Sequence, residues 1–125
     1  MSEPVYLDYN ATTPVAPEVA DAMLPFLREQ FGNPSSSHHY GRLAVRAVAE
    51  ARDQVADLIG ARSEEIFFTG CATEANNFAL LGVARARGDT KRHLVVSAVE
   101  HPAVLAPARQ LEAEGWRLTV VPVEW

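Results

Sequence analysis

From Glu65 onward, short runs of apolar and β-branched residues alternate with stretches of helical spacing, and few chain architectures accept that alternation. Ile66 to Thr69 reads as a strand, 73–87 as a helix, 93–97 as a strand, 102–114 as a helix and 117–121 as a strand, which is a βαβαβ order. Leu94 to Val96 and Leu118 to Val121 are continuous rather than alternating, the pattern of parallel strands covered on both faces. The helix at 73–87 carries Phe78, Ala79, Leu80, Leu81 and Val83 nearly all round, so deep burial is expected of it; Arg85, Arg87 and Gly88 mark its end. The fold class that follows is α/β with a parallel sheet.

What precedes the alternation is helical. Residues 1–16 form a Pro- and Thr-rich arm with one apolar patch at Val5, Tyr6 and Leu7. Pro17 to Phe31 reads as a helix with Val19, Met23, Phe26, Leu27 and Phe31 on one side; Pro25 must kink it or leave a carbonyl unpaired, and Gly32 stops it. After the loop FGNPSSSH, the residues Tyr40, Leu43, Ala44, Ala47, Val48, Ala51, Val55, Leu58 and Ile59 recur at three- and four-residue spacings up to Gly60, which defines a long amphipathic helix. The organisation expected is an arm (1–16), a helical segment (17–60) and an α/β part (61–125).

Composition narrows the class. A length of 125 residues with 48% hydrophobic content suits one domain, and a net charge of -5 without a basic patch argues against nucleic acid or an anionic membrane as the main partner. MSEPVYLDYN lacks a cationic region followed by an apolar run, so no signal peptide is expected, and no run approaches membrane-spanning length. A lone cysteine, Cys71, makes no internal disulfide and fits a reducing compartment, so a cytoplasmic location is expected.

Ligands of open parallel sheets collect beyond the carboxyl ends of the strands, and two motifs fall there. Gly70, Cys71, Ala72 and Thr73 form a small-residue turn into a helix, whose first N–H groups and dipole favour a phosphate. The same residues also serve as a plain helix cap, so both readings stand. Val99, Glu100 and His101 follow the next strand. His101 directly precedes Pro102, a residue favoured in the first helical turn, so a neutral flat ring is expected there, suited to stacking and to proton transfer; the alternative is a helix-start histidine that meets only water. His38 and His39 are adjacent and no cysteine or carboxylate cluster joins them, so no metal site is expected. Lys91, the only lysine, lies in the loop GDTKR at the end opposite the phosphate turn.

Four stretches in order, YLDYNATTP (Tyr6 to Pro14), FGNPSSSH (Phe31 to His38), FTGCATEANN (Phe68 to Asn77) and VEHPAVL (Val99 to Leu105), resemble the NifS-like cysteine desulfurases of the class V aminotransferase group. TGCAT is an ordinary variant of the family's turn. The resemblance implies the large domain of a fold type I enzyme that uses pyridoxal 5'-phosphate (PLP), with N-terminal helices ahead of its parallel sheet. It implies that Ala72 and Thr73 bind the cofactor phosphate and that His101 stacks on the cofactor ring and acts in catalysis. It further implies L-cysteine as substrate, L-alanine and an enzyme persulfide as products, a homodimer, and a sulfur acceptor or Fe–S scaffold protein as partner. Asn10, Ala11 and Thr12 match the family's arm near the substrate, and Cys71 is a small turn residue rather than the sulfur carrier. Family chains run well beyond 125 residues, and the cofactor-anchoring lysine, the acid facing the pyridinium nitrogen and the sulfur-receiving cysteine belong to those later segments; an N-terminal portion of such an enzyme is the expectation. The alternatives are another class V enzyme, a selenocysteine lyase or aminotransferase, and a non-catalytic remnant.

Overall fold

The structure, a computed structural model, describes residues 4–87 and 90–124. It divides into two compact units, Met1–Ile66 and Phe67–Trp125.

The first unit is helical. Helix α1 spans Pro17–Arg28, with Pro17 at its first position, where the missing N–H costs nothing. It runs through Pro25 and ends earlier than Gly32: Glu29 leaves the helical region at φ -124°, and the Glu29 and Gln30 amides converge on the Pro25 carbonyl at 2.9 and 2.8 Å. Gly32 is therefore not the stop signal. A Cβ there would overlap the backbone carbonyl of Tyr40, so the glycine permits a close approach of the loop to the next helix. Helix α2 spans His39–Ile59 and closes as its periodicity predicts. Gly60 is left-handed (φ 68°, ψ 31°), and the amides of Ala61 and Gly60 bond the carbonyls of Ala56 and Asp57 at 2.9 and 3.3 Å, the paired bonds of a Schellman cap. A 3-10 turn at Ser63–Glu65 folds back on α2, held by the Ser63 hydroxyl donating to Asp53 and by Arg52 Nε donating to the Ile66 carbonyl at 3.2 Å.

The second unit contains helix α3 (Ala72–Arg87), strand β1 (His93–Ser97), helix α4 (Pro102–Ala113) and strand β2 (Arg117–Val121). β1 and β2 pair in parallel, with Leu94 opposite Leu118 and Val96 opposite Val120. Helix α4 crosses between them and supplies the core: Ala103, Pro107, Ala108 and Leu111 are buried on its inner face, with Val96 below and Ala84 of α3 beside them. Pro107 lies inside the helix and on that buried face.

Three expectations need correction. Residues 66–69 are expected to form a strand; Ile66 is extended at φ -97° and ψ 123°, but the sheet among the described residues consists of β1 and β2, so the unit is βαβ preceded by α3. Sheet pairing is non-local, so a β-prone run does not by itself decide whether it joins the ladder. The strands are covered on one face only, since Val96 is buried while Val95 is 60% exposed. Finally, α3 is not deeply buried. Within its unit it packs on α4 through Ala84, and Phe78 and Val83 remain 60% and 64% exposed, because an all-round apolar helix needs cover on two sides and α4 gives one. An open groove of about 350 Å³ runs along that uncovered side past Asn77, Phe78 and Leu81. The predicted end at Gly88 lies outside the described residues.

Candidate functional site

The turn into α3 is built from bonds its own sequence supplies. The chain bends at Gly70 and Cys71, and α3 starts at Ala72, one residue before the predicted Thr73. The first intrahelical bond is Ala75 N–H to the Cys71 carbonyl at 3.1 Å, so the amides of Ala72, Thr73 and Glu74 lie ahead of the helical ladder. The Thr69 hydroxyl donates to the Cys71 carbonyl at 3.2 Å and fixes the peptide at the helix entrance. Glu74 reaches back: its Oε2 accepts the Gly70 N–H at 2.7 Å. Asn77 Nδ2 donates to the Thr73 carbonyl at 2.8 Å. Cys71, Ala72 and Thr73 are all exposed, and the Thr73 hydroxyl has no partner among the described residues. The amides of Ala72, Thr73 and Glu74 and the Thr73 hydroxyl stand at the positive end of a sixteen-residue helix, an arrangement able to receive an anion.

The second motif is equally defined. His101 is the N-cap of α4, extended at φ -60° and ψ 147°, and its Nδ1 accepts the Ala103 N–H at 3.0 Å. With Nδ1 engaged as an acceptor, the ring presents Nε2 as its donor position. The cap holds the ring at the helix start, exposed, and turns Nε2–H away from it.

These two helix starts belong to one end of the unit. α4 begins beyond the carboxyl end of β1. The Thr90 and Lys91 amides bond the Arg87 carbonyl at 2.9 and 3.0 Å, which holds the carboxyl end of α3 beside the approach to β1, and α3 packs on α4, so Ala72 and Thr73 lie toward the end where His101 stands. Lys91 sits at the opposite, amino end of β1, where its N–H bonds the Arg87 carbonyl at 3.0 Å. His93, Arg117 and Thr119 form a bonded cluster at that far end, with Arg117 donating to His93 Nδ1 at 2.6 Å. Asn10, Ala11, Thr12 and His38 belong to the first unit. There the Ala11 N–H closes a turn on the Asp8 carbonyl at 3.0 Å, and His38 lies edge-on to Tyr40 with ring centroids 6.4 Å apart. Sequence reasoning did not find the grip of Glu74 on Gly70 or the capping bond of His101; the signal for the first is a glutamate at the third helical position, for the second a histidine before a helix-start proline.

The family model for class V aminotransferases matches residues 5–125. The chain belongs to the class V aminotransferase family. Among curated members, the cysteine desulfurase IscS of Dictyoglomus turgidum is 52% identical over 124 residues, which is 99% of this chain and 32% of that protein. Among solved structures, a NifS-like protein superposes with a TM-score of 0.85 at 42% identity, covering 95% of this chain and 33% of its own. SspA in complex with cysteine gives 0.81 at 41% identity, covering 93% and 33%. This family member thus spans about a third of the length of the relatives it matches. At these identities and scores, its fold is that of the matching part of the NifS-like enzymes. No helix among the described residues is long and apolar enough to cross a membrane.

Proposed function

We propose that this chain is the cofactor-phosphate-binding part of a PLP-dependent cysteine desulfurase, and the observation that carries the reading is the cradle at Ala72 and Thr73 within a sequence about half identical to cysteine desulfurase over its whole length. The residues present fit the cofactor. A phosphate monoester is an anion with several acceptor oxygens, and it meets the amides of Ala72 and Thr73, the unpartnered Thr73 hydroxyl and the positive end of α3. The ring of His101, fixed by its own helix cap, would offer a flat face for the pyridine ring and its Nε2 for proton transfer to the substrate.

PLP, when bound, supplies an electron sink for bond cleavage in the amino acid. The chemistry of the whole protein is removal of sulfur from L-cysteine: the Cβ–S bond breaks, a proton goes to Cβ to give L-alanine, and the sulfur joins an enzyme thiol as a persulfide. The cysteine in SspA's complex supports this substrate class. Within this chain Thr73 and Ala72 bind, and His101 orients the cofactor and holds the proton. Cys71 lies inside the phosphate turn and Lys91 lies at the other end of the unit, so neither is placed to carry sulfur or to anchor the cofactor. A homodimer working in the cytoplasm with a sulfur acceptor or Fe–S scaffold protein completes the reading.

The test is a titration of the full polypeptide with PLP, followed by L-cysteine. Saturable binding and alanine formation support the reading; amino-group transfer to an oxo acid in place of desulfuration, or no PLP binding, sinks it.

A further inference from the structure

The most specific contact in the turn belongs to a residue that the cofactor reading does not use. Glu74 stands at the third position of α3, and in the usual capping box such a glutamate accepts the N–H of the residue just before the helix. That residue is Cys71. Glu74 instead bonds one residue further out, taking the Gly70 N–H at 2.7 Å. The displacement matters, because Gly70 lies outside the set of helix-start amides. The carboxylate fastens the outer strand of the turn to the helix and leaves the Ala72 and Thr73 amides unspent.

The same contact sits close to the glycine itself. Gly70 does not have a positive φ, so no left-handed backbone demands it. A Cβ at this position would stand 3.3 Å from Glu74 Oε2, tighter than ordinary van der Waals contact, so a side chain here would press on the carboxylate. Two further bonds brace the same turn: Thr69 hydroxyl to the Cys71 carbonyl at 3.2 Å outside it, and Asn77 Nδ2 to the Thr73 carbonyl at 2.8 Å inside the helix.

We propose that Glu74 is a positioning residue for the phosphate cradle: its bond to Gly70 N–H fixes the 70–73 turn in the shape that presents the Ala72 and Thr73 amides and the Thr73 hydroxyl to a phosphate. The inference rests on the PLP reading of that cradle. Glu74 acts through the Gly70 amide and not by touching the anion, whose charge its own carboxylate repels. Hydrogen-bond acceptance, not negative charge, is what the position requires. Glutamine keeps an acceptor oxygen of the same reach; alanine does not.

The experiment measures PLP dissociation constants by absorbance titration, and amide exchange of the 69–73 backbone, in the full polypeptide and its Glu74→Ala and Glu74→Gln variants. For Glu74→Ala the expected loss of affinity is about tenfold, equivalent to ~1.4 kcal/mol and in the range of one hydrogen bond, with faster exchange at Gly70 before any PLP is added. Glu74→Gln should stay within roughly threefold of wild type in affinity and keep Gly70 protected. Equal PLP binding by wild type and Glu74→Ala, unchanged Gly70 exchange in Glu74→Ala, or a Glu74→Gln variant as weak as Glu74→Ala overturns the inference while the cofactor reading stands. A wild-type polypeptide that binds no PLP overturns the cofactor reading, and this inference with it.

Discussion

Replacing Thr73 with alanine isolates the phosphate cradle from the stability of the fold. The Thr73 hydroxyl is exposed and bonds no other described residue, so its removal leaves no orphaned partner behind. Alanine is also the better helix former, by about 0.5 kcal/mol, so the melting temperature should hold or rise slightly. Binding is different. A hydrogen bond to a charged acceptor contributes about 1.5–3 kcal/mol, and the exposure of this turn favours the lower end, so the PLP dissociation constant should rise by roughly 10- to 20-fold. Binding is not abolished, because the Ala72 and Thr73 amides and the dipole of α3 remain. Thr73→Ser, which keeps the hydroxyl, should stay near wild type. The assay is a PLP titration by absorbance with a parallel thermal melt. A Thr73→Ala variant that binds PLP within twofold of wild type, with an unchanged melt, would refute the assignment of that hydroxyl to the phosphate.

Two further perturbations separate catalytic from structural roles. His101→Ala loses both the ring and the Nδ1 cap on Ala103 N–H, so stability should fall by about 1 kcal/mol in a denaturant melt and turnover at saturating PLP by roughly 10²-fold. His101→Asn restores a good cap without an imidazole, so it should regain the stability but not the turnover; recovery of both assigns His101 to capping alone. Leu111 is 2% exposed in the core of α4, and Leu111→Ala should cost about 2–5 kcal/mol by chemical denaturation, with a loss below 1 kcal/mol showing that this core is not what holds the second unit together.

What was legible in the sequence was what is set locally. The spacing from Tyr40 to Ile59 with Gly60 behind it fixed both ends of α2, because periodicity and the left-handed cap are written within a few residues of the helix. His101–Pro102 located the start of α4, and the β-branched runs located β1 and β2. The misses were non-local or one atom deep. Phe67 and Phe68 are β-prone residues, but whether such a run joins a ladder depends on a neighbour that no local pattern specifies. The apolar circumference of α3 says that the helix can be covered, not by what, and Phe78 instead meets Phe67 with ring centroids 5.6 Å apart. Gly32 looks like a helix stop in sequence, whereas its reason is a carbonyl of Tyr40. At the candidate site the residue types were readable and the bonding was not: that Glu74 takes Gly70 rather than Cys71 follows from a turn geometry one residue longer than the familiar box.

The most direct test of the central claim is a single-turnover balance of products. The full polypeptide, loaded with PLP, is mixed with L-cysteine without reductant, and L-alanine and protein-bound sulfane sulfur are quantified together. The cysteine desulfurase reading predicts that the two appear in equal amounts, about one of each per PLP site, and that Thr73→Ala reaches the same yield only at raised PLP. Bound PLP with no alanine, or alanine without matching persulfide sulfur, would contradict it.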